Sequence, residues 1–258
     1  MSIASTLAGN ACLFALVASR IAGFVVVSPF PGQNVSNTQR VGLVVVLAWV
    51  ASSFAPGVEA FGSIGLRLAG WAALEIGCGL IIGMAFRFVF AATEVLGSLL
   101  GIASGLGTPS VFNPTLEATE TPIGRVVGLL GMLVALGIGA HRVALGALLD
   151  SFRALPVGTI TSIDAPFMAF ADLAIDAFVV GVRLATPVIA VALIVNVALA
   201  MISRAAPSLQ IFSVGFGILI ASTTLTLLAS LGDITAGLSA HFNQLGSTLD
   251  ATLSAVRR

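Results

Sequence analysis

Seven charged side chains lie within or between the long apolar runs of this chain, and their chemistry needs an explanation. A charge at the middle of a bilayer costs at least about 2.5–3.5 kcal/mol. We therefore expect these side chains to face other protein, where they can form ion pairs between helices. The seven residues are Arg20, Glu75, Arg87, Glu94, Asp172, Asp176 and Arg183.

Four of these charges form two pairs, each seven residues apart in sequence: Arg87 with Glu94, and Asp176 with Arg183. Seven residues are close to two helical turns, so the members of each pair share a helix face. The separation is too long for a direct bridge, and we expect each face to meet opposite charges on neighbouring helices. For Arg20 and Arg183, a side chain extended to the membrane interface explains the position equally well.

No catalytic or metal-binding constellation is evident. The two histidines, His141 and His241, are separated by a hundred residues and have no carboxylate or cysteine at a metal-binding spacing. The glycines around Gly105 lack the Lys-Ser/Thr that a phosphate-binding loop requires. Cys12 and Cys78 lie in apolar runs and are interpreted as small buried hydrophobic residues. We therefore predict no enzymatic activity, no cofactor and no metal.

The composition is that of a membrane protein. Of 258 residues, 58% are hydrophobic and 9% are charged, whereas soluble domains carry about 25% charged residues. The net charge is zero, which argues against a nucleic-acid partner. We predict an all-α, integral membrane-type fold of kinked helices and helical hairpins, in contact with lipid. The apolar segments are 11–29, 41–55, 68–86, 88–106, 126–140, 165–182, 184–203 and 209–231.

Residues 106–122 interrupt these apolar segments with a run rich in proline and glycine. Proline disfavours helix at the residue before it, so one helix should end near Leu106 and the next should begin near Pro122. Irregular backbone is tolerated at membrane depth only where protein buries it or where it lines a water-filled cavity. Two interpretations follow: a connector outside the membrane, or a loop inside a channel that closes it.

A second break, at 204–208, separates two strongly apolar helices. We predict a helical hairpin over 184–231, with Arg204 and Pro207 at its tip. Glycines also repeat at four-residue spacing, which lets helix backbones approach closely. These stripes predict packing both within the chain and against other subunits. They contain Gly79 and Gly83, Gly97, Gly101 and Gly105, and Gly124 and Gly128.

Several motifs, in order along almost the whole chain, resemble the flagellar biosynthetic protein FliR family. The most specific is RAAPSLQIFSVGF at 204–216, although Gly217 follows where the family usually has proline. The others are RIAG at 20–23, SPFPGQNV at 28–35, RVG at 40–42, GMAFR at 83–87, GLG at 105–107, HR at 141–142 and DSFRALPVG at 150–158.

This resemblance implies one helical subunit over 1–258 in the type III export gate of the flagellar basal body, in the bacterial inner membrane. The implied partners are FliP and FliQ in a closed assembly, with FlhB and FlhA nearby. Unfolded flagellar proteins would pass through the channel. The resemblance also implies that the loop 106–122 plugs the pore. The plug residues would be Leu106, Pro109, Val111, Phe112, Pro114 and Leu116, with Phe112 as the main hydrophobic seal.

Three alternatives belong to other functional classes or systems. The counterpart of FliR in virulence injectisomes shares the same motif pattern. A small-molecule permease would use broken helices and intramembrane charges to build a substrate site, but the sequence shows no inverted repeat. A membrane enzyme would need a nucleophile with its base, or a metal set, and neither is evident.

Overall fold

The computed structural model describes residues 3–30, 35–54, 66–106, 121–159, 167–205 and 211–256, and these parts of the chain form helices and short turns without strands. The predicted all-α fold is confirmed. The helices are α1 Ile3–Val27, α2 Asn37–Ser52, α3 Leu66–Ala103, α4 Pro122–Gly137, α5 Ala140–Ala154, α6 Phe167–Ala205, α7 Ile211–Ala229, α8 Leu231–Phe242 and α9 Leu245–Val256.

Two helix starts follow directly from local sequence. The Ser36 side chain caps α2 by accepting a hydrogen bond from the Gln39 backbone amide. The Gln39 side-chain oxygen in turn accepts from the Ser36 backbone amide, which completes a capping box. Thr121 caps α4 by accepting from the Gly124 amide, and Pro122 occupies the first helical turn, where it needs no amide donor. The predicted helix start at Pro122 is therefore correct.

Two long helices each correspond to two of the apolar segments. Segments 68–86 and 88–106 correspond to the single helix α3, which ends at Ala103, and segments 165–182 and 184–203 correspond to the single helix α6, which begins at Phe167. An arginine, Arg87 or Arg183, separates each pair in sequence. A charged side chain interrupts apolar composition but leaves the backbone hydrogen bonds of a helix intact, so the helix continues through it. The outgoing helix of the predicted hairpin thus begins at Phe167.

The last apolar segment is also divided differently from the prediction. Segment 209–231 corresponds to α7, which ends at Ala229, and α8 begins at Leu231 after Ser230. The chain after His241 contains the end of α8, at Phe242, followed by α9.

The chain divides into two compact units. The first contains Met1–Val89, Gly139–Leu173 and Gln244–Arg258. In its core, α1 packs against α2, and α5 packs against α9. The rings of Phe24 and Phe30 both stack with Phe86, at centroid distances of 6.4 and 6.0 Å.

The second unit contains Phe90–Ile138 and Ala174–Asn243. Here α4 packs against α8, and α8 also contacts α7. The rings of Phe90 and Phe242 stack with their centroids 4.8 Å apart. Within this unit α3 and α4 approach closely at Gly97, because a Cβ built there would lie 3.1 Å from Gly124 Cα.

Within the described ranges, three helical stretches are long and apolar enough to cross a membrane: Gly9–Val27, Leu68–Ala103 and Phe167–Ala205. The number rises to five if each of two bent helix pairs counts as one span. The chain therefore has the length and composition of a membrane protein, as its sequence predicted.

Candidate functional site

A buried ion pair joins α1 to α3 inside the first unit. Arg20 and Glu75 have side-chain exposures of 0% and 1%, and Arg20 Nε donates to Glu75 Oε2 at 2.6 Å. The guanidinium of Arg20 therefore lies within the protein and does not extend to a membrane interface. Glu75 is the opposite charge on a neighbouring helix that the apolar surroundings of Arg20 require.

The remaining donors of Arg20 are used at the end of α5. Nη1 donates to the Ser151 carbonyl at 2.9 Å and also lies 3.2 Å from Ser151 Oγ. Nη2 donates to the Leu155 carbonyl at 2.9 Å. The carbonyl end of a helix carries a partial negative charge, so the cation from α1 stabilises the end of α5. The Ser151 carbonyl accepts from both Arg20 and the Leu155 amide.

Glu75 makes the complementary contact. Its second oxygen, Oε1, accepts a hydrogen bond from the Gly158 amide at 3.0 Å. The guanidinium of Arg20 also lies over the Phe152 ring, with Cζ 4.4 Å from the centroid, in the arrangement of a cation–π contact. The two charges are thus satisfied by each other and by the backbone that follows α5.

Glycines bring α1 and α3 close enough for this ion pair. A Cβ added at Gly79 would collide with the Arg20 carbonyl oxygen, and one added at Gly23 would collide with the Ile76 carbonyl oxygen. At Gly83 a Cβ would lie 2.9 Å from the Phe24 carbonyl oxygen. The predicted stripe of Gly79 and Gly83 therefore packs within the chain. The short backbone distance lets the Arg20 and Glu75 side chains meet with full hydrogen bonding.

The contacts of this ion pair join α1, α3 and the end of α5. Arg20 and Glu75 use their polar atoms on each other and on backbone. Cys78, one turn from Glu75, is a buried free thiol. No group of three or more His, Cys, Asp or Glu residues that could hold a metal ion occurs in the described parts of the chain.

The other five predicted charges occupy exposed positions on long helices. Arg87 and Glu94 lie on α3, and Asp172, Asp176 and Arg183 lie on α6. Asp176 Oδ2 is 3.4 Å from Nδ1 of His241, a contact between α6 and α8 within the second unit. Intersubunit roles for these charges remain predictions.

A large apolar surface accompanies the charges on α6. In the stretch of α6 that is apolar enough to cross a membrane, 17% of the residues are buried within the chain, compared with 61% in the corresponding stretch of α3. The exposed side chains of α6 include Phe178, Leu193, Ile194 and Met201. A helix with such an apolar surface is stable when lipid or another protein covers it.

The predicted plug and hairpin tip lie mostly outside the described residues. Leu106 is described in the turn after α3, and Arg204 is exposed in the last turn of α6. Beside the hairpin, the Leu199 side chain reaches to 3.2 Å from a Cβ built at Gly215 on α7. The remaining residues of both predictions lie outside the described ranges: Pro109, Val111, Phe112, Pro114, Leu116 and Pro207.

Sequence reasoning identified Arg20 and Glu75 but missed their partners. Ser151, Leu155 and Gly158 take part through backbone atoms, and backbone atoms leave no signature of residue type. The signal in the sequence that could locate them is the motif DSFRALPVG at 150–158, which contains all three residues. The contact of His241 with Asp176 is also absent from the sequence-based predictions, because the two residues are distant in sequence.

Comparisons with known proteins identify relatives of this chain. Residues 11–245 match the family described as bacterial export proteins, family 1. The chain is 30% identical to the flagellar biosynthetic protein FliR of Pectobacterium carotovorum over 81% of this chain and 80% of the relative. It is 30% identical to that of Aquifex aeolicus, over 86% of both chains. It is 27% identical to that of Escherichia coli K12, over 86% of this chain and 85% of the relative. The resemblance seen in the sequence motifs is thereby confirmed.

Proposed function

Because the chain belongs to the FliR family of bacterial export proteins, we propose that it is a subunit of the flagellar type III export gate in the bacterial inner membrane. It helps to form the channel through which unfolded flagellar proteins leave the cytoplasm. The observation that carries this proposal is the family match over residues 11–245, which includes almost all of the described helices. The relatives bear flagellar names, which favours the flagellar system over the injectisome.

The partners we propose are the gate subunits FliP and FliQ, with FlhB and FlhA nearby in the basal body. The apolar surface of α6 supports an assembled state, since little of that helix is covered by the chain itself. The charges Arg87, Glu94, Asp172, Asp176 and Arg183 lie at exposed positions on apolar helices. Contacts with neighbouring subunits, added to those within the chain, would help to offset the cost of placing charges there.

We also propose that the loop 106–122 closes the channel. Its prolines limit the entropy lost when the loop becomes ordered. Its apolar side chains Val111, Phe112 and Leu116 would exclude water at a constriction, as hydrophobic gates do. Support for this step comes from the sequence of the loop and from the helix ends on either side of it, at Ala103 and Pro122.

The experiment is gene replacement in the native bacterium. Deletion should abolish flagella and the export of flagellar proteins, and the wild-type gene supplied in trans should restore both. The tagged chain, purified in mild detergent, should bring FliP and FliQ with it. Flagella that persist in the deletion strain would contradict the proposal. Loss of injectisome secretion with flagella intact would point to the virulence counterpart, and a chain purified alone would favour a permease.

A further inference from the structure

The segment Leu155–Thr159, which we call the strap, follows α5 and lies against the buried ion pair. Val157 at its centre has an exposed fraction of 0%. The strap has two internal hydrogen bonds, from the amide and the hydroxyl of Thr159 to the Pro156 carbonyl. Leu155 is the residue after α5, and its amide donates a final helical hydrogen bond to the Ser151 carbonyl. Helical hydrogen bonding ends at this residue.

Arg20 and Glu75 hold the strap at both ends. The Leu155 carbonyl, at its start, accepts from Arg20 Nη2 at 2.9 Å. The Gly158 amide, near its end, donates to Glu75 Oε1 at 3.0 Å. Hydrogen bonds to charged groups are stronger than those between neutral groups. The strap is therefore tied to α1 through a cation and to α3 through an anion.

The signs of the two charges match the backbone groups that they contact. Arg20 faces carbonyl oxygens, which accept, and Glu75 faces an amide, which donates. Reversing the pair would place a carboxylate against carbonyl oxygens and a guanidinium against an amide. The arrangement thus recognises the backbone of the strap and the end of α5, in addition to pairing the two charges.

We propose that Arg20 and Glu75 form a latch that holds the strap closed over α1 and α3, and that the strap opens as a unit and exposes Val157 when the latch is broken. The proposal is independent of the export function. Its physical basis is that apolar residues of similar volume can replace both members of a buried ion pair with little loss of stability. Removing one member alone, by contrast, leaves an uncompensated buried charge. The helix pair can therefore survive without the charges, but the strap loses both of its hydrogen bonds to charged side chains.

The test measures the accessibility of residue 157 in native membranes containing the full chain. Val157→Cys is introduced after Cys12→Ala and Cys78→Ala, and N-ethylmaleimide labelling is followed over time. The parent should be protected. Arg20→Met with Glu75→Met should raise the labelling rate at least about tenfold, because two charge-assisted hydrogen bonds to the strap are lost. Arg20→Gln with Glu75→Gln, which keeps polar atoms without buried charge, should give an intermediate rate.

Two controls separate strap opening from general unfolding. Arg153→Gln breaks a pair with Asp150 whose side chains are 75% and 63% exposed, so it should leave the labelling of residue 157 unchanged. A parallel chain that retains buried Cys12 as its only thiol reports on the packing of α1. Cys12 should remain protected in both double variants.

Two results would overturn the proposal. If residue 157 stays protected in the Met/Met variant while Cys12 is protected, packing of Val157 alone holds the strap. If Cys12 becomes labelled as fast as residue 157 in both double variants, the pair supports the whole unit and is not a latch for the strap. Should the Met/Met chain fail to accumulate, the Gln/Gln chain decides between these outcomes by the same two rates.

Discussion

Gly79→Ala should destabilise the first unit by separating α1 from α3. A Cβ at Gly79 would collide with the Arg20 carbonyl oxygen and would lie 2.9 Å from the Phe24 amide nitrogen. Both neighbours are backbone atoms of a packed helix and cannot rotate away, so the whole helix must move. Movement of α1 would also lengthen the hydrogen bonds that join Arg20 to Glu75 and to the end of α5.

The magnitude follows from the close backbone contact. Overpacking a core typically costs 1–3 kcal/mol, and contact with backbone places Gly79→Ala near the upper end, at about 3 kcal/mol. Alanine is a better helix former than glycine by about 1 kcal/mol, which offsets part of this cost. We expect a net loss of about 2 kcal/mol in the free energy of unfolding.

A matched control lies on the same helix. Gly70 is exposed on α3, and a Cβ there would meet no atom within 4 Å. Gly70→Ala should therefore stabilise the chain by about 0.5–1 kcal/mol. The two substitutions change the same residue type in the same helix, so they differ in steric environment and should have effects of opposite sign.

The assay is the midpoint of SDS-induced unfolding in mixed micelles of the purified membrane complex, with the steady-state level of the chain in membranes as a second readout. Gly79→Ala should lower the midpoint and the level, and Gly70→Ala should raise the midpoint or leave it unchanged. Equal midpoints for the two variants would refute the reasoning, because α1 and α3 would then not be in backbone contact at this position.

Four further predictions concern assembly, closure and a helix cap. Expressed without other gate subunits, the chain should give heterogeneous material in detergent, because α6 leaves its apolar surface uncovered; a stable monodisperse monomer on size-exclusion chromatography would oppose this. Deletion of residues 108–116 should leave assembly intact but make the complex leak ions and small solutes in a conductance assay; unchanged conductance would make the loop a simple connector. A photo-crosslinker at Arg204 should capture a gate subunit near the cytoplasmic side, and capture of lipid alone would exclude this placement. Thr121→Ala removes the cap acceptor of the Gly124 amide and should cost about 1 kcal/mol in the same SDS titration, whereas Thr121→Ser should have little effect.

Much of the fold was predictable because composition and local motifs act over short distances. Apolar segments with few charges predict helices of a membrane protein, and Pro122 predicts the start of α4. The family was recognised from motifs in the correct order along the chain. The sequence also identified Arg20 and Glu75 as charges that need a protein environment, since each lies in an apolar run where lipid would penalise it.

Hydropathy alone did not indicate where these helices begin and end. Arg87 and Arg183 divide their apolar runs, yet α3 and α6 pass through both positions without a break. Hydropathy is a property of side chains, whereas helix continuity depends on backbone hydrogen bonds. An arginine supports those bonds well, so a drop in hydropathy at one residue did not mark a helix end.

By itself, the sequence determined that this is a helical membrane protein of the export family, with buried charges that must find partners. Only the tertiary structure decided which partners they find. Glu75 lies 55 residues from Arg20, and the Ser151 and Leu155 carbonyls lie 131 and 135 residues from it. Carbonyl and amide groups are the same at almost every residue, so a contact to backbone leaves no mark on sequence. The close approach of α1 and α3 at Gly79, together with the end of α5, places these groups where Arg20 and Glu75 can reach them.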